Sequence, residues 1–490
     1  MAVTTKLLLA ILLTAFLLSA TNAVRDFQGQ QGRQEGQRGT RLTEAQQCRL
    51  TRLTASQPTN RIESEGGVTE LWDENEEQFQ CAGVAPMRSV IRRNSLSLPN
   101  FHPMPRLVYI ERGQGLIGIT YPGCAETFQS QSQTFQAGRE PREERGQGRR
   151  SDQHQKVHRI RQGDVVALPA GAAHWCYNDG EEELVAVSVN DLNHRSNQLD
   201  QNLRAFYLAG GVPESGRQQT QAGQRLQSRQ RFQNIFRAFD TELMAEAFNI
   251  PAEIVRRMQE EQQSERGLIV NVREGMRMIR PDEEEGEFEE EQGRPRRGQQ
   301  WWEEATGNGL EENICTMKIR TNLEHRTQAD IFSRQAGKIN HVNRQKLPIL
   351  KYMDMSASRG TLYPNALLTP HWSVNSHCVV YVQRGEAQVQ VVDHSGQQVM
   401  NDRVNQGEMF VVPQYFASTV RAGQNGLEFV VWRTSSEPMN SQLAGYTSVI
   451  RAMPIEVLTN AYQISPNEAQ RLKTNRGGES FLLSPQRRSF

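Results

Sequence analysis

Three sets of residues in this 490-residue chain could do chemistry. The first is a group of imidazoles on apolar, strand-like stretches: His102, His174, His371 and His377, the last followed directly by Cys378. Imidazole nitrogens and thiolates are metal ligands, so any metal centre would have to be assembled at these positions. The second set is six cysteines, Cys48, Cys81, Cys124, Cys176, Cys315 and Cys378, none in a CxxC pair. That spacing favours structural bridges and buried thiols over zinc. The third is Asn308-Gly309, which follows a tract running from Glu283-Glu284-Glu285 to Arg294-Pro295-Arg296-Arg297. A bond in such a polar stretch can enter a protease cleft without unfolding a domain, although Asn-Gly is also a tight-turn pair.

Other chemistries lack their residues. No glycine-rich phosphate loop, GxSxG elbow or HExxH helix occurs. Lys and Arg number 56 against 56 Asp and Glu, with the arginines interleaved among glutamates, so no basic face for nucleic acid is expected.

The elements that must position these residues come in two copies. Leu107-Val108-Tyr109-Ile110-Glu111-Arg112-Gly113 matches Val379-Val380-Tyr381-Val382-Gln383-Arg384-Gly385, both read as strands running into a glycine turn. Gly163 to Pro169 matches Gly407 to Pro413, and Leu184 to Val189 matches Phe429 to Trp432. Ala387, Val389 and Val391 alternate with Gln388 and Gln390, the period of a half-buried strand. Ile235 to Met258 resembles Val449 to Leu472, and Pro251 and Pro466 each read as the start of a second helix. Short strands with glycine turns predict antiparallel β-barrels, and the helices that follow have no room inside them. The fold class is therefore all-β dominant with minor α: two barrels, each followed by a helical pair that packs on a neighbour.

Hydrophobic residues make up only 37% of the chain, and the shortfall is concentrated in polar insertions. The first copy carries extra residues near 129–155 and 215–233, and an acidic tract at 271–308 separates the copies. Such compositions bury too little apolar surface to offset chain entropy, so all three are expected to be disordered, the charge runs reading as solvated linker or as binding patch. The surplus of Gln and Arg over Lys raises nitrogen per residue, through selection or through drift in solvated loops. Lys6, the apolar run Leu7 to Leu18 and the small residues to Ala23 read as a signal peptide, 1–23, cut between Ala23 and Val24. No later stretch could span a membrane as a helix. A polar segment, 24–47, then precedes a first domain at 48–270 and a second at 309–490.

At Gly163-x5-Pro169-x-Gly171-x2-His174-x3-Asn178 the chain matches the second motif of the cupin superfamily at every position. Within it, Asn308-Gly309-Leu310-Glu311-Glu312-Asn313-Ile314-Cys315 resembles the processing junction of the legumin-type 11S seed globulins. The resemblance implies two jelly-roll barrels and a non-enzymatic nitrogen store. It also implies cutting after Asn308 by an asparaginyl endopeptidase, trimers of the precursor, hexamers after the cut, and delivery through the endoplasmic reticulum to the protein storage vacuole. The family includes allergens. Carried over residue by residue, Cys48 pairs with Cys81, and Cys124 with Cys315 across the cut, leaving Cys176 and Cys378 as buried thiols. Charge agrees with such a division: from Gly309 onward 19 Lys and Arg face 14 Asp and Glu.

Catalytic cupins hold a metal with two histidines and a glutamate from the first motif and one histidine from the second. Here His174 keeps the second-motif position, but Arg106 stands at the glutamate and only His102 could serve as a histidine. A guanidinium has no lone pair to give and repels a cation. In the second copy His371 keeps one position, while Ser373, Cys378 and Ser418 replace the others. His377 beside Cys378 points to the opposite face of a strand. No metal and no cofactor is therefore expected. The competing readings are a germin-like metal oxidase and a bicupin that binds a carbohydrate or small ligand.

Overall fold

The computed structural model describes residues 48, 50–126, 128–130, 152–212, 232–260, 266–273, 275–276, 314–324 and 329–485. Residues 1–49 and 50–490 form separate units, and of the first only Cys48 is described. In the first half the elements are β1 (Asn60–Ser64), β2 (Gly67–Leu71), α1 (Glu77–Ala82), β3 (Val84–Ile91), β4 (Ser95–Phe101), β5 (Arg106–Arg112) and β6 (Gln114–Thr120). They continue with β7 (Phe128–Ser130), β8 (Asp152–His154), β9 (Val157–Arg161), β10 (Asp164–Leu168), β11 (Ala173–Tyr177), β12 (Leu184–Asp191) and β13 (Phe206–Tyr207). Helices α2 (Thr241–Phe248) and α3 (Ala252–Gln259) and strand β14 (Ile269–Asn271) complete this half.

The second half holds β15 (Arg320–Asn322), β16 (Ile331–Ser333), β17 (Gly337–Val342), α4 (Leu350–Met353), β18 (Ser356–Leu362), β19 (Leu367–Ser373) and β20 (Cys378–Val392). It ends with β21 (Gln398–Asn405), β22 (Met409–Val412), β23 (Ala417–Arg433), β24 (Asn440–Gln442), α5 (Val449–Ala452), α6 (Ile455–Tyr462), α7 (Pro466–Thr474) and β25 (Leu482–Leu483).

The first barrel closes between two antiparallel sheets, ordered β1-β2-β3-β12-β5-β10-β15 and β13-β4-β11-β6-β9. In the second, β20 and β23 are long enough to serve both faces of one continuous sheet. This corrects the expectation of a turn at Gly385. The strand runs through it, and the register shifts on both sides at a bulge, Val382/Arg384 and Gly385/Ala387. Gly385 has φ +83°, and a Cβ there would lie 2.3 Å from the Gly426 carbonyl oxygen, so only glycine lets the strand bend here from one face of the barrel to the other. Beyond the bulge the alternation holds as read: Ala387, Val389 and Val391 are buried and Gln388 and Gln390 exposed.

The barrels share one core. Leu107, Tyr109 and Val187 belong to the same apolar cluster as Val379, Tyr381, Val411 and Trp432, and Trp432 Nε1 donates to the Leu107 carbonyl at 3.1 Å. The halves also exchange backbone. β15 pairs with β10 of the first barrel from Asp164↔Asn322 to Val166↔Arg320. In return, Leu53 N donates to Val399 O at 2.8 Å, and Ser56 and Met409 exchange two bonds of 2.9 Å. Strand edges on each barrel are thus completed by the other half's chain.

At the ends of the first insertion β7 and β8 pair as a ribbon from Phe128↔His154 to Ser130↔Asp152, and Gln155 clamps its base by bonding Tyr121 N at 2.9 Å and the Cys124 carbonyl at 3.0 Å. Residues 131–151, 213–231 and 277–313, on which the disordered tracts were expected, lie outside the described residues.

The helical stretches divide where caps stop them. Asp240 caps α2 through Glu242 N and Leu243 N, and Asn249 closes it in the left-handed conformation. α7 opens on Pro466 with a Ser465–Glu468 capping box. Leu243, Phe248, Val457, Tyr462 and Leu472 are left exposed on these helices. Among the described residues no helix is long and apolar enough to cross a membrane.

Candidate functional site

In the first barrel β4, β5 and β11 bring His102, Arg106 and His174 together. The two imidazoles stack with centroids 5.8 Å apart and planes at 22°. His102 Nδ1 donates to the Arg204 carbonyl at 3.1 Å, which leaves Nε2 to accept from Arg106 Nη1 at 3.4 Å. His174 Nδ1 donates to the Ala172 carbonyl at 3.3 Å. Arg106 Nε also donates to Ser188 Oγ at 3.0 Å. Burial, then the guanidinium, drives both imidazoles toward the neutral form: His102 well below its usual range, and His174 to about 3. Burial also lowers Arg106, to about 10, leaving it cationic at neutral pH. The ring nitrogen that a metal would take is thus already occupied by a cationic donor.

The second barrel gathers His371, Ser373, Cys378 and Ser418 around one cavity, joined by His341, Ser358 and Arg433. His371 Nδ1 donates to the Thr369 carbonyl at 2.9 Å, and its ring meets the edge of Phe481 at 4.8 Å. Burial pushes His371 and His341 down to about 4. Ser373 and Ser376 share a 2.7 Å hydrogen bond. His377 faces away and accepts from Gln414 N at 3.3 Å through Nδ1. Hydroxyls and one thiol thus stand at three of the four ligand positions, and among the described residues no group of three or more His, Cys, Asp or Glu could hold a metal.

Sequence reading missed His341, Ser358 and Arg433. The available signal was Arg433 itself, a cation closing the apolar run Phe429 to Trp432; the other two became neighbours only through sheet pairing.

Cys124 and Cys315 are bonded to each other across 191 residues, with Cα atoms 5.6 Å apart. Cys48 and Cys81 are each in a disulfide. Cys176 and Cys378 carry free thiols, the first half-buried on β11 and the second buried on β20. Asn308, Gly309, Ala23 and Val24 lie outside the described residues.

Comparison with known proteins places this architecture. A cupin family profile matches residues 53–214 and 322–470, the two barrels. The 11S globulin seed storage protein 2 of Sesamum indicum is 65% identical over 434 residues, 88% of this chain and 91% of that protein. The crystal structure of the coconut allergen cocosin superposes with a TM-score of 0.75 at 39% identity, covering 89% of this chain and 100% of its own. Recombinant pro-11S globulin of pumpkin superposes with a TM-score of 0.74 at 38% identity, covering 90% and 100%.

Proposed function

Because the chain belongs to the 11S seed storage globulins, a family of two-cupin proteins, we propose that it serves as a nitrogen reserve of the seed and catalyses no reaction. The observation that carries this reading is Arg106: the barrel that keeps His102 and His174 holds a guanidinium where a carboxylate ligand would be needed. A germin-like oxidase would require that position to coordinate a metal.

The precursor enters the secretory route through residues 1–23, loses them before Val24, and is carried to the protein storage vacuole. An asparaginyl endopeptidase then cuts between Asn308 and Gly309. The acidic and basic products stay together through Cys124–Cys315 and through the strand exchange between the barrels, while Cys48–Cys81 staples the acidic chain. Leu243, Phe248, Val457 and Tyr462 are apolar faces available for docking on a second copy, and each such side chain removed from water contributes about 1.5–3 kcal/mol. Trimers form by this docking, and the cut allows two trimers to stack as a hexamer.

Mass spectrometry of protein purified from seed tests the scheme. One mass without reductant should resolve on reduction into two chains, beginning at Val24 and Gly309. A single chain after reduction would overturn the cleavage step, and stoichiometric manganese, iron or copper in the native protein would overturn the storage reading in favour of the oxidase.

A further inference from the structure

The second barrel contains a buried cation that forms no ion pair among the described residues. Arg433, at the end of β23, is 5% exposed and lines the cavity. Its guanidinium makes one hydrogen bond, from Nη1 to Ser358 Oγ at 2.6 Å. Nε is buried without a partner, and no carboxylate of the described residues forms an ion pair with it. Ser358 in turn lies 2.7 Å from His341 Nδ1. Arginine can only donate, so the serine oxygen accepts from it and passes its own proton toward the imidazole. Among the described residues, the carboxylate of Asp330 reaches His341 but forms its ion pair with Lys346 and none with Arg433. His341 and His371 are neutral at pH 7, and the field of Arg433 helps to hold them so.

The matched barrel makes the contrast plain. Arg106 is half-buried, and its guanidinium is used twice, by Ser188 and by His102. Arg433 has spare donors, and the residue lines the cavity. The cavity offers about 50 Å³ to the centres of water-sized molecules and is walled mainly by Val382, Val389, Phe410 and Phe429. A buried charge is retained at low cost only when it is paired. The planar fork of a guanidinium fits the two oxygens of a carboxylate.

We propose that this cavity is a binding site for a short monocarboxylate, its oxygens on Arg433 and its alkyl end among the valines and phenylalanines. An apolar cavity of about 150 Å³ holds benzene, so the smaller space here favours anions of about two to four carbons over aromatic acids. The site is separate from the storage reading and does not depend on it.

Equilibrium dialysis of the full-length protein, freed of carboxylate buffers, against radiolabelled propionate at pH 7 tests the assignment. One saturable site per chain is expected, displaced by acetate and butyrate but not by 1-propanol or propylamine. Arg433→Met should weaken uptake at least tenfold, and Arg433→Lys should retain part of it. Should Arg433→Met fail to fold, the lysine variant and the solute series on the native protein still decide the question. Absence of saturable uptake, equal uptake by Arg433→Met, or displacement by propanol as effective as by butyrate would each overturn the proposal. Chloride displacing propionate at equal concentration would overturn the carboxylate assignment in favour of a general anion site.

Discussion

Tyr109 and Tyr381 occupy matched positions of the internal repeat, and each sends its hydroxyl into the other barrel. Tyr381 Oη donates to Glu111 Oε1 at 3.2 Å. Tyr109 Oη accepts from Arg359 Nε at 3.1 Å and shares its proton between Glu324 Oε1 at 3.2 Å and Gln383 Oε1 at 3.3 Å. Glu111 and Gln383 are themselves matched residues, two positions beyond the tyrosines. The interface therefore repeats the internal symmetry, with Arg88 bracing Glu111 and Arg359 bracing Glu324.

Removing either hydroxyl should loosen the join without emptying the core. Tyr109→Phe and Tyr381→Phe should each cost about 1–2 kcal/mol in denaturant unfolding, the usual cost of leaving a buried partner unsatisfied. The double variant should lose the sum to within about 0.5 kcal/mol, because the two networks share no residue. Strong non-additivity would show that they act as one.

The buried histidines make acid destabilising. His174 in the folded protein lies at about 3 and His341 and His371 at about 4, against 6.5 when exposed. Folded-state values are depressed, so the unfolded chain binds more protons between about pH 4 and 6.5. The stability they confer is complete above pH 6.5 and is lost as pH falls through that window. Unfolding free energy measured from pH 7 to 4 should fall with a slope that His174→Asn reduces by about one proton.

Arg106→Met tests the guanidinium's electrostatic role. Its charge lowers both His102 and His174, so removing it should raise their titration and move the acid limb of the stability profile toward lower pH. The expected change in stability at pH 7 is small, since an apolar side chain of similar length replaces a half-buried ion. A loss above about 4 kcal/mol would show that the bonds to Ser188 and His102 outweigh the cost of burying the charge.

Strand exchange should outlast the disulfide. In the uncut chain, a bridge closing 191 residues removes about 5 kcal/mol of unfolded-state entropy on the loop model. After cutting at 308–309, reduced protein should still elute as one particle in size-exclusion chromatography and separate only in denaturant. The backbone pairs at Asp164↔Asn322 and Ser56↔Met409 hold the two products without the sulfur. Separation on mild reduction would assign the joint to Cys124–Cys315 alone.

Leu243→Glu with Val457→Glu should convert the assembled protein to single chains in sedimentation velocity, with unchanged circular dichroism. Both side chains are exposed in the single chain, 65% and 48%, so a charge there costs little until a second copy must cover it.

The sequence by itself determined the two copies, the strands and the loss of a ligand set, because alternation, glycine placement and the identity of Arg106 are local properties. It misread Gly385 as a turn, since the same left-handed glycine serves a hairpin or a bulge and only the partner strand distinguishes them. Tertiary structure decided the rest. That β15 belongs to the first barrel, that residues 53–56 pair with the second, and that Arg433 faces His341 across Ser358 all depend on contacts between residues far apart in the chain. Periodicity tells each residue which side of its own strand it occupies, whereas closure of the barrel chooses what stands opposite.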